Sequence, residues 1–146
     1  MKNITYQTGS TLLEGLIAIT IFSFGMLGTI SFQANMISQS TQTSYRLNAS
    51  MQVNSLIGAA DADQVNYACY TFPTVNTAPN CTNATDYITT WVAKVKELPG
   101  ATATPPTAIY DPVSGTLTVT VFWKMPNEDV AKPVHSFKSI SRPVGA

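Results

Sequence analysis

Residues 10–37 read STLLEGLIAITIFSFGMLGTISFQANMI, and the fold turns on this stretch. Between Leu16 and Phe32, 13 of the 17 positions are apolar or Gly. The other four are Ser or Thr, whose hydroxyls can bond back to the carbonyls of their own helix. The run from Leu12 to Ile37 is 26 residues long, enough for the roughly 20 that a helix needs to cross a bilayer core. Gly25 and Gly28 are small and closely spaced, which suits either tight helix packing or local flexibility. One residue breaks the pattern. Glu14 lies within the apolar stretch, and no Asp, Glu, Lys or Arg follows it until Arg46, a gap of 31 residues. A carboxylate at the centre of a membrane helix costs about 2.5 kcal/mol or more, so it normally has a partner. Glu14 is therefore either a functional residue or an interfacial acid that reaches back toward the headgroups.

The rest of the composition agrees with a chain only partly made for water. Of its 146 residues 11% are charged, against roughly 25% in an ordinary soluble domain, and the net charge is zero. Once a membrane-type segment is set aside, too little chain remains for a large enzyme with a deep core. No run of Lys and Arg supplies a phosphate-tracking patch, and Lys94, Lys96 and Lys124 make too thin a basic set for nucleic acid. A removable secretory signal is the plainer reading of the amino terminus, with Met1-Lys2 as its charged start and Ser31 to Ala34 as its cleavage region. Phe32 stands where a small residue is wanted, however, and Glu14 stands where such signals avoid charge.

The residues around Glu14 read Gly9-Ser10-Thr11-Leu12-Leu13-Glu14, after the short polar leader MKNITYQT and before the apolar helix. This resembles the class III signal of type IV pilins, departing from it at Ser10, where the family usually has Phe. The resemblance implies that a prepilin peptidase cuts after Gly9, that residues 1–9 are the leader, and that the new amino terminus at Ser10 is methylated. It also implies an assembly role for Ser10 and Glu14. The Ser10 amine of one subunit pairs with Glu14 of its neighbour, and side-by-side packing neutralises two charges that are otherwise costly in an apolar setting.

Residues 38–64 turn polar, yet they contain no Pro, and Gly58 is their one potential breaker, so the helix is expected to continue. Tyr45, Ala49, Val53, Leu56 and Ala60 recur at helical spacing and form one apolar stripe, with Leu47 and Met51 on the opposite face. A helix from Leu12 to Ala60 is roughly 74 Å long at 1.5 Å per residue, which predicts a lollipop with a small head. Major pilins usually have a kinking Pro where this chain has Ser31, so less kinking is expected, with Gly25 and Gly28 as the soft points.

All nine prolines, both tryptophans and both cysteines fall in residues 65–146, the expected globular periplasmic head. Cys69 and Cys81 are the only cysteines, and an exported domain of this size gains from closing that short loop, so a disulfide is expected. With no nearby His they cannot complete a zinc site. Asn83-Ala-Thr-Asp86 is expected to cap a second helix whose face is Ile88, Trp91, Val92 and Val95 and which Pro99-Gly100 stops. This helix should cover a sheet. The strongest strand is Thr116 to Met125, with Leu117, Val119, Val121 and Trp123 on one side. The turn Asp111-Pro-Val-Ser-Gly115 links it to a short strand at Ala108 to Tyr110, and a third strand is expected at Val134 to Ser141. The fold class is thus α+β, a pilin-like long helix with a small antiparallel head.

GMLG at 25–28, SYRLNA at 44–49, the paired cysteines, WVAKVKELPG at 91–100 and GTLTVTVFW at 115–123 together resemble the PilV group of minor pilins. That resemblance implies incorporation near the tip of a pilus, with effects on assembly, adhesion and twitching motility. The implied partners are prepilin peptidase, the major pilin, other minor pilins and inner-membrane lipid before assembly. The implied location is the inner membrane with the head in the periplasm, then the extracellular pilus. A type II secretion pseudopilin shares the signal and is the near alternative. A membrane-anchored binding domain that never polymerises is the far one, with Tyr67, Tyr70 and Phe72 as an exposed aromatic patch. No catalytic residues, cofactor or small-molecule substrate are expected, because the single His135 has no nucleophile near it in sequence. Asp61 and Asp63 read as a solvated helix end and not as a metal site. Asn48, Asn80 and Asn83 match the glycosylation pattern by chance in a chain rich in Asn and Thr.

Overall fold

The structure is a computed structural model that describes residues 10–126, 128–129 and 131–143. It is α+β. The described chain runs through α1 (Ser10–Ala62), a 3₁₀ turn (Gln64–Cys69), a second one (Pro79–Cys81), α2 (Thr82–Val95), β1 (Thr107–Asp111), β2 (Thr116–Trp123) and β3 (His135–Ser141). The chain divides into two compact units, one ending at Thr41 and one beginning at Gln42. The first unit is the amino-terminal part of α1, and its helical hydrogen bonding continues through Gly25, Gly28 and Ser31.

In the second unit the expected stripe is the foundation of the core. Ala49, Val53, Leu56 and Ala60 are fully buried, and Tyr45 packs half-buried against them. They meet the inner face of a three-stranded antiparallel sheet in the order β1-β2-β3. The alternation expected for β2 is realised: Leu117, Val119, Val121 and Trp123 are buried, and the residues between them are half-buried. β2 pairs β1 through Val119↔Ala108 and Leu117↔Tyr110, and pairs β3 through Val121↔Phe137 and Leu117↔Ser141. β2 is central, so its inner side chains are covered from both flanks. A long apolar amino-terminal helix followed by a small antiparallel sheet is a pilin-like architecture.

α2 contributes the expected face, with Ile88, Trp91, Val92 and Val95 buried together with Ala84. Its start differs from expectation. The helix begins at Thr82, so Asn83 and Asp86 lie inside its first turns, and the Cys81 cap position makes no side-chain capping bond. The Pro79–Cys81 turn leads the chain into the helix, so the cap position falls at Cys81, two residues before the side-chain cap that the sequence offers at Asn83. Two aromatic side chains then tie α2 to α1. The Trp91 indole N–H donates to the Gln52 carbonyl at 2.8 Å, and the Tyr87 hydroxyl donates to the Ser55 carbonyl at 3.0 Å. Each gives a polar tip a partner while the ring adds apolar area to the junction.

Cys69 and Cys81 form the expected disulfide. By the loop-entropy model, a loop of this size contributes about 3 kcal/mol. Next to it, Phe72 precedes the cis Phe72–Pro73 peptide and exchanges two backbone hydrogen bonds of 2.8 Å with Ala108, extending the β1 edge by one bridge. The β1–β2 turn is held by Asp111, which accepts the Val113 N–H at 2.9 Å and the Ser114 hydroxyl at 2.6 Å. These bonds, led by that from Ser114, hold the Asp111 carboxyl below the usual carboxylate range.

After α2 the backbone turns at Gly100, which has a φ of 74°. A Cβ there would lie 2.7 Å from the Cβ of Lys124, because the Lys124 N–H donates to the Pro99 carbonyl at 2.7 Å and draws the two segments together. Glycine is thus required twice, for the left-handed backbone and for the close approach. Gly100→Ala is expected to destabilise the second unit by about 2 kcal/mol or more, adding the left-handed penalty to the overlap. Thermal denaturation of the full chain in detergent measures it, and an unchanged midpoint would show that the approach relaxes freely.

Candidate functional site

The feature that the fold leaves without internal use is the amino-terminal part of α1. Leu12, Leu16, Ile19, Phe22, Phe24, Leu27, Ile30 and Phe32 are each at least 60% exposed, and they point to every side of the helix. A helix that is apolar all round belongs among lipid tails or packed against other apolar helices. Its hydroxyls fit either setting. Thr20 donates to the Leu16 carbonyl at 2.7 Å, Ser23 to Ile19 at 2.7 Å and Thr29 to Met26 at 2.8 Å. Satisfied inside the helix, they ask nothing of a surrounding that has no water. Among the described residues this is the one helix long and apolar enough to cross a membrane, and as an amino-terminal segment it suits an anchor or a signal.

Glu14 is the exception on that surface. It is exposed in α1, and no side chain among the described residues pairs with it. Its neighbours one turn away are Ile17 and Ala18 on one side and Ser10 and Thr11 on the other. Ser10 is the first residue of α1, so positions 10 and 14 share a face of the first turn. Gly9 lies outside the described residues.

A second apolar pair, Leu47 and Met51, sits on α1 in the second unit, 60% and 62% exposed, facing away from the buried stripe. Met51 also lines a shallow groove between α1 and α2, with Gln52, Ser55, Tyr87 and Trp91. The helix therefore uses one face for its own core and leaves an apolar edge outside it.

Two expectations change on folding. Tyr67 and Tyr70 are only 3% and 5% exposed, and Phe72 packs half-buried on the core, so the aromatic patch imagined for a ligand is spent on structure. Sequence reasoning missed this because a Tyr in a polar loop gives no periodic signal of burial. Tyr67 meets Tyr110 edge-on and Tyr70 meets Tyr87 edge-on. Burial raises the pKa of both hydroxyls. Asp61 and Asp63 are engaged and not merely solvated. Asp61 accepts the Ser141 hydroxyl at 3.1 Å, joining the end of α1 to the end of β3, and Asp63 accepts the Asn66 amide at 3.0 Å. No cluster of three metal-ligating side chains occurs among the described residues.

His135, expected at a strand edge or in a loop, opens β3. It stacks on Trp123 and lies 3.0 Å from Glu128. Glu128 also accepts the Met125 N–H at 3.4 Å. Desolvation pushes the Glu128 carboxyl up, but the Met125 N–H, His135 and Lys132 outweigh it and hold it below the ordinary glutamate value. The unfolded chain then takes up the proton more readily than the folded one. The stabilisation is complete above the unfolded value of about 4.3 and is lost as pH falls through the lower folded value. The protection of the Met125 amide, taken as its exchange relative to the intrinsic rate at each pH, is expected to fall as acidification protonates Glu128, and Glu128→Gln is expected to remove that dependence. A wild-type profile with no acid limb would exclude the clasp.

Comparison with protein-family models, curated proteins and solved structures returned no match to this chain.

Proposed function

We propose that the chain is a minor pilin subunit that joins a type IV pilus near its tip and promotes assembly, adhesion and twitching motility. The observation that carries this reading is the amino-terminal part of α1, apolar on every side, with one acid, Glu14, that pairs with no side chain among the described residues and lies a single turn from Ser10. A simple anchor gains nothing from a carboxylate at that position, whereas a subunit that must choose between lipid and neighbouring helices does. While the subunit waits in the inner membrane, Glu14 and the amine created at Ser10 by prepilin peptidase are both costly. In a filament each meets the other on an adjacent subunit, and a misplaced subunit leaves both unpaired. Leu47 and Met51 then extend the apolar contact beyond the membrane-embedded length toward the major pilin and other minor pilins.

Mass and amino-terminal sequence, compared between cells with and without prepilin peptidase, test the processing. Mature protein is expected to begin at Ser10 with a methylated amine only when the peptidase is present; an uncut chain in peptidase-positive cells overturns the reading. Glu14→Ala tests the pairing. The thermal midpoint of the second unit is expected to stay unchanged while the amount recovered in sheared pili falls at least about tenfold, as removing a charge pair of a few kcal/mol requires. Undiminished recovery would leave Glu14 without an assembly role.

A further inference from the structure

The sheet has two edges and treats them differently. β1 is continued by the Phe72 bridge, whereas among the described residues nothing pairs with the outer edge of β3. β3 has no Pro or bulge within His135–Ser141, so it carries none of the usual devices that stop another strand from joining, apart from Lys138. Its inner side is also incomplete. Where β2 buries Leu117, Val119 and Val121 fully, the β3 residues on the same face, Phe137 and Ser139, are half-buried. The apolar layer thins at β3, and one more strand would continue it over Phe137.

Charge identifies what fits. From Val130 to the end the sequence contains Lys132, Lys138 and Arg142 and no Asp or Glu. Lys138 and Arg142 are exposed, and neither has an acidic partner among the described residues. On the outer face Lys138 lies beside Thr120 and Ile140 beside Thr118, which separates it from Ile109 on β1, so the β3 side of that face offers an apolar side chain, hydroxyls and one cation. The two acids that do reach β3, Glu128 at His135 and Asp61 at Ser141, engage its ends and leave the stretch between them open. A second copy of the same edge would set basic residues against basic ones, which disfavours self-pairing.

We propose that the open edge of β3 receives an extended acidic strand of another protein chain, with carboxylates toward Lys138 and Arg142 and small apolar residues over Phe137. Backbone hydrogen bonds would provide the hold, and the alternating side chains the selectivity. The inference concerns the second unit alone and stands whether or not the pilin reading does.

The test uses the full chain in detergent micelles and a short synthetic peptide alternating glutamate and valine. Binding is expected to slow amide exchange across Ser136–Ile140 at least tenfold, while Lys138→Glu weakens binding at least tenfold and a lysine-valine peptide does not bind. An analogue N-methylated at every residue keeps the charge and loses the backbone donors, and it is expected not to bind. Equal binding by that analogue, unchanged exchange in β3, or equal binding by Lys138→Glu would each overturn the proposal. Protection of β3 that grows with protein concentration and needs no peptide would assign the edge to self-association and overturn it as well.

Discussion

Burial of Ala49, Val53, Leu56 and Ala60 is the interaction on which the second unit depends, because every other element is placed by reference to that stripe. Ala49, Val53, Leu56 and Ala60 are each fully buried in the shared core. Trp91 and Tyr87 bond to carbonyls on the same stretch of α1, and Ser141 bonds to Asp61 near its end. With about 25 cal/mol for each Å² of apolar surface removed from water, a modest set of side chains provides the drive, and the disulfide reduces the freedom of the unfolded loop.

The same helix meets the opposite condition in its first unit. There no self-made core covers it, and its side chains are exposed on all sides. The chemistry of one helix thus changes along its length: aliphatic and aromatic residues with internally bonded hydroxyls first, then a polar helix with a single apolar stripe. Glu14 gains its meaning from this contrast. In water an exposed glutamate on a helix is ordinary, but in an apolar surrounding it is the most expensive group present.

The second unit has a closed side and an open side. Phe72 completes β1, the disulfide loop covers the region beside it, and the buried aromatics Tyr67 and Tyr70 fill what a sequence reader would leave as a polar loop. At β3 charge of one sign collects, and among the described residues no strand pairs with its outer edge.

By itself the sequence determined whatever depends on periodicity or on a special residue. The apolar run, the stripe at 45–60, the face of α2 and the alternation of β2 are legible because helix and strand place side chains at 3.6- and 2-residue periods regardless of their surroundings. The cysteine pair is legible because no other partner exists for either. Only the tertiary structure decided what depends on distant residues meeting. The burial of Tyr67 and Tyr70, the engagement of Asp61 by Ser141, 80 positions away, and the start of α2 at Thr82 have no local signature. The need for Gly100 likewise appears only when Lys124 is brought against it, since local sequence marks a turn but not the atom that would be struck. Of the candidate site, Glu14 was visible as a charge out of place, while the β3 edge, which no strand pairs among the described residues, became visible only with the strand order, because sheet pairing joins residues far apart in sequence.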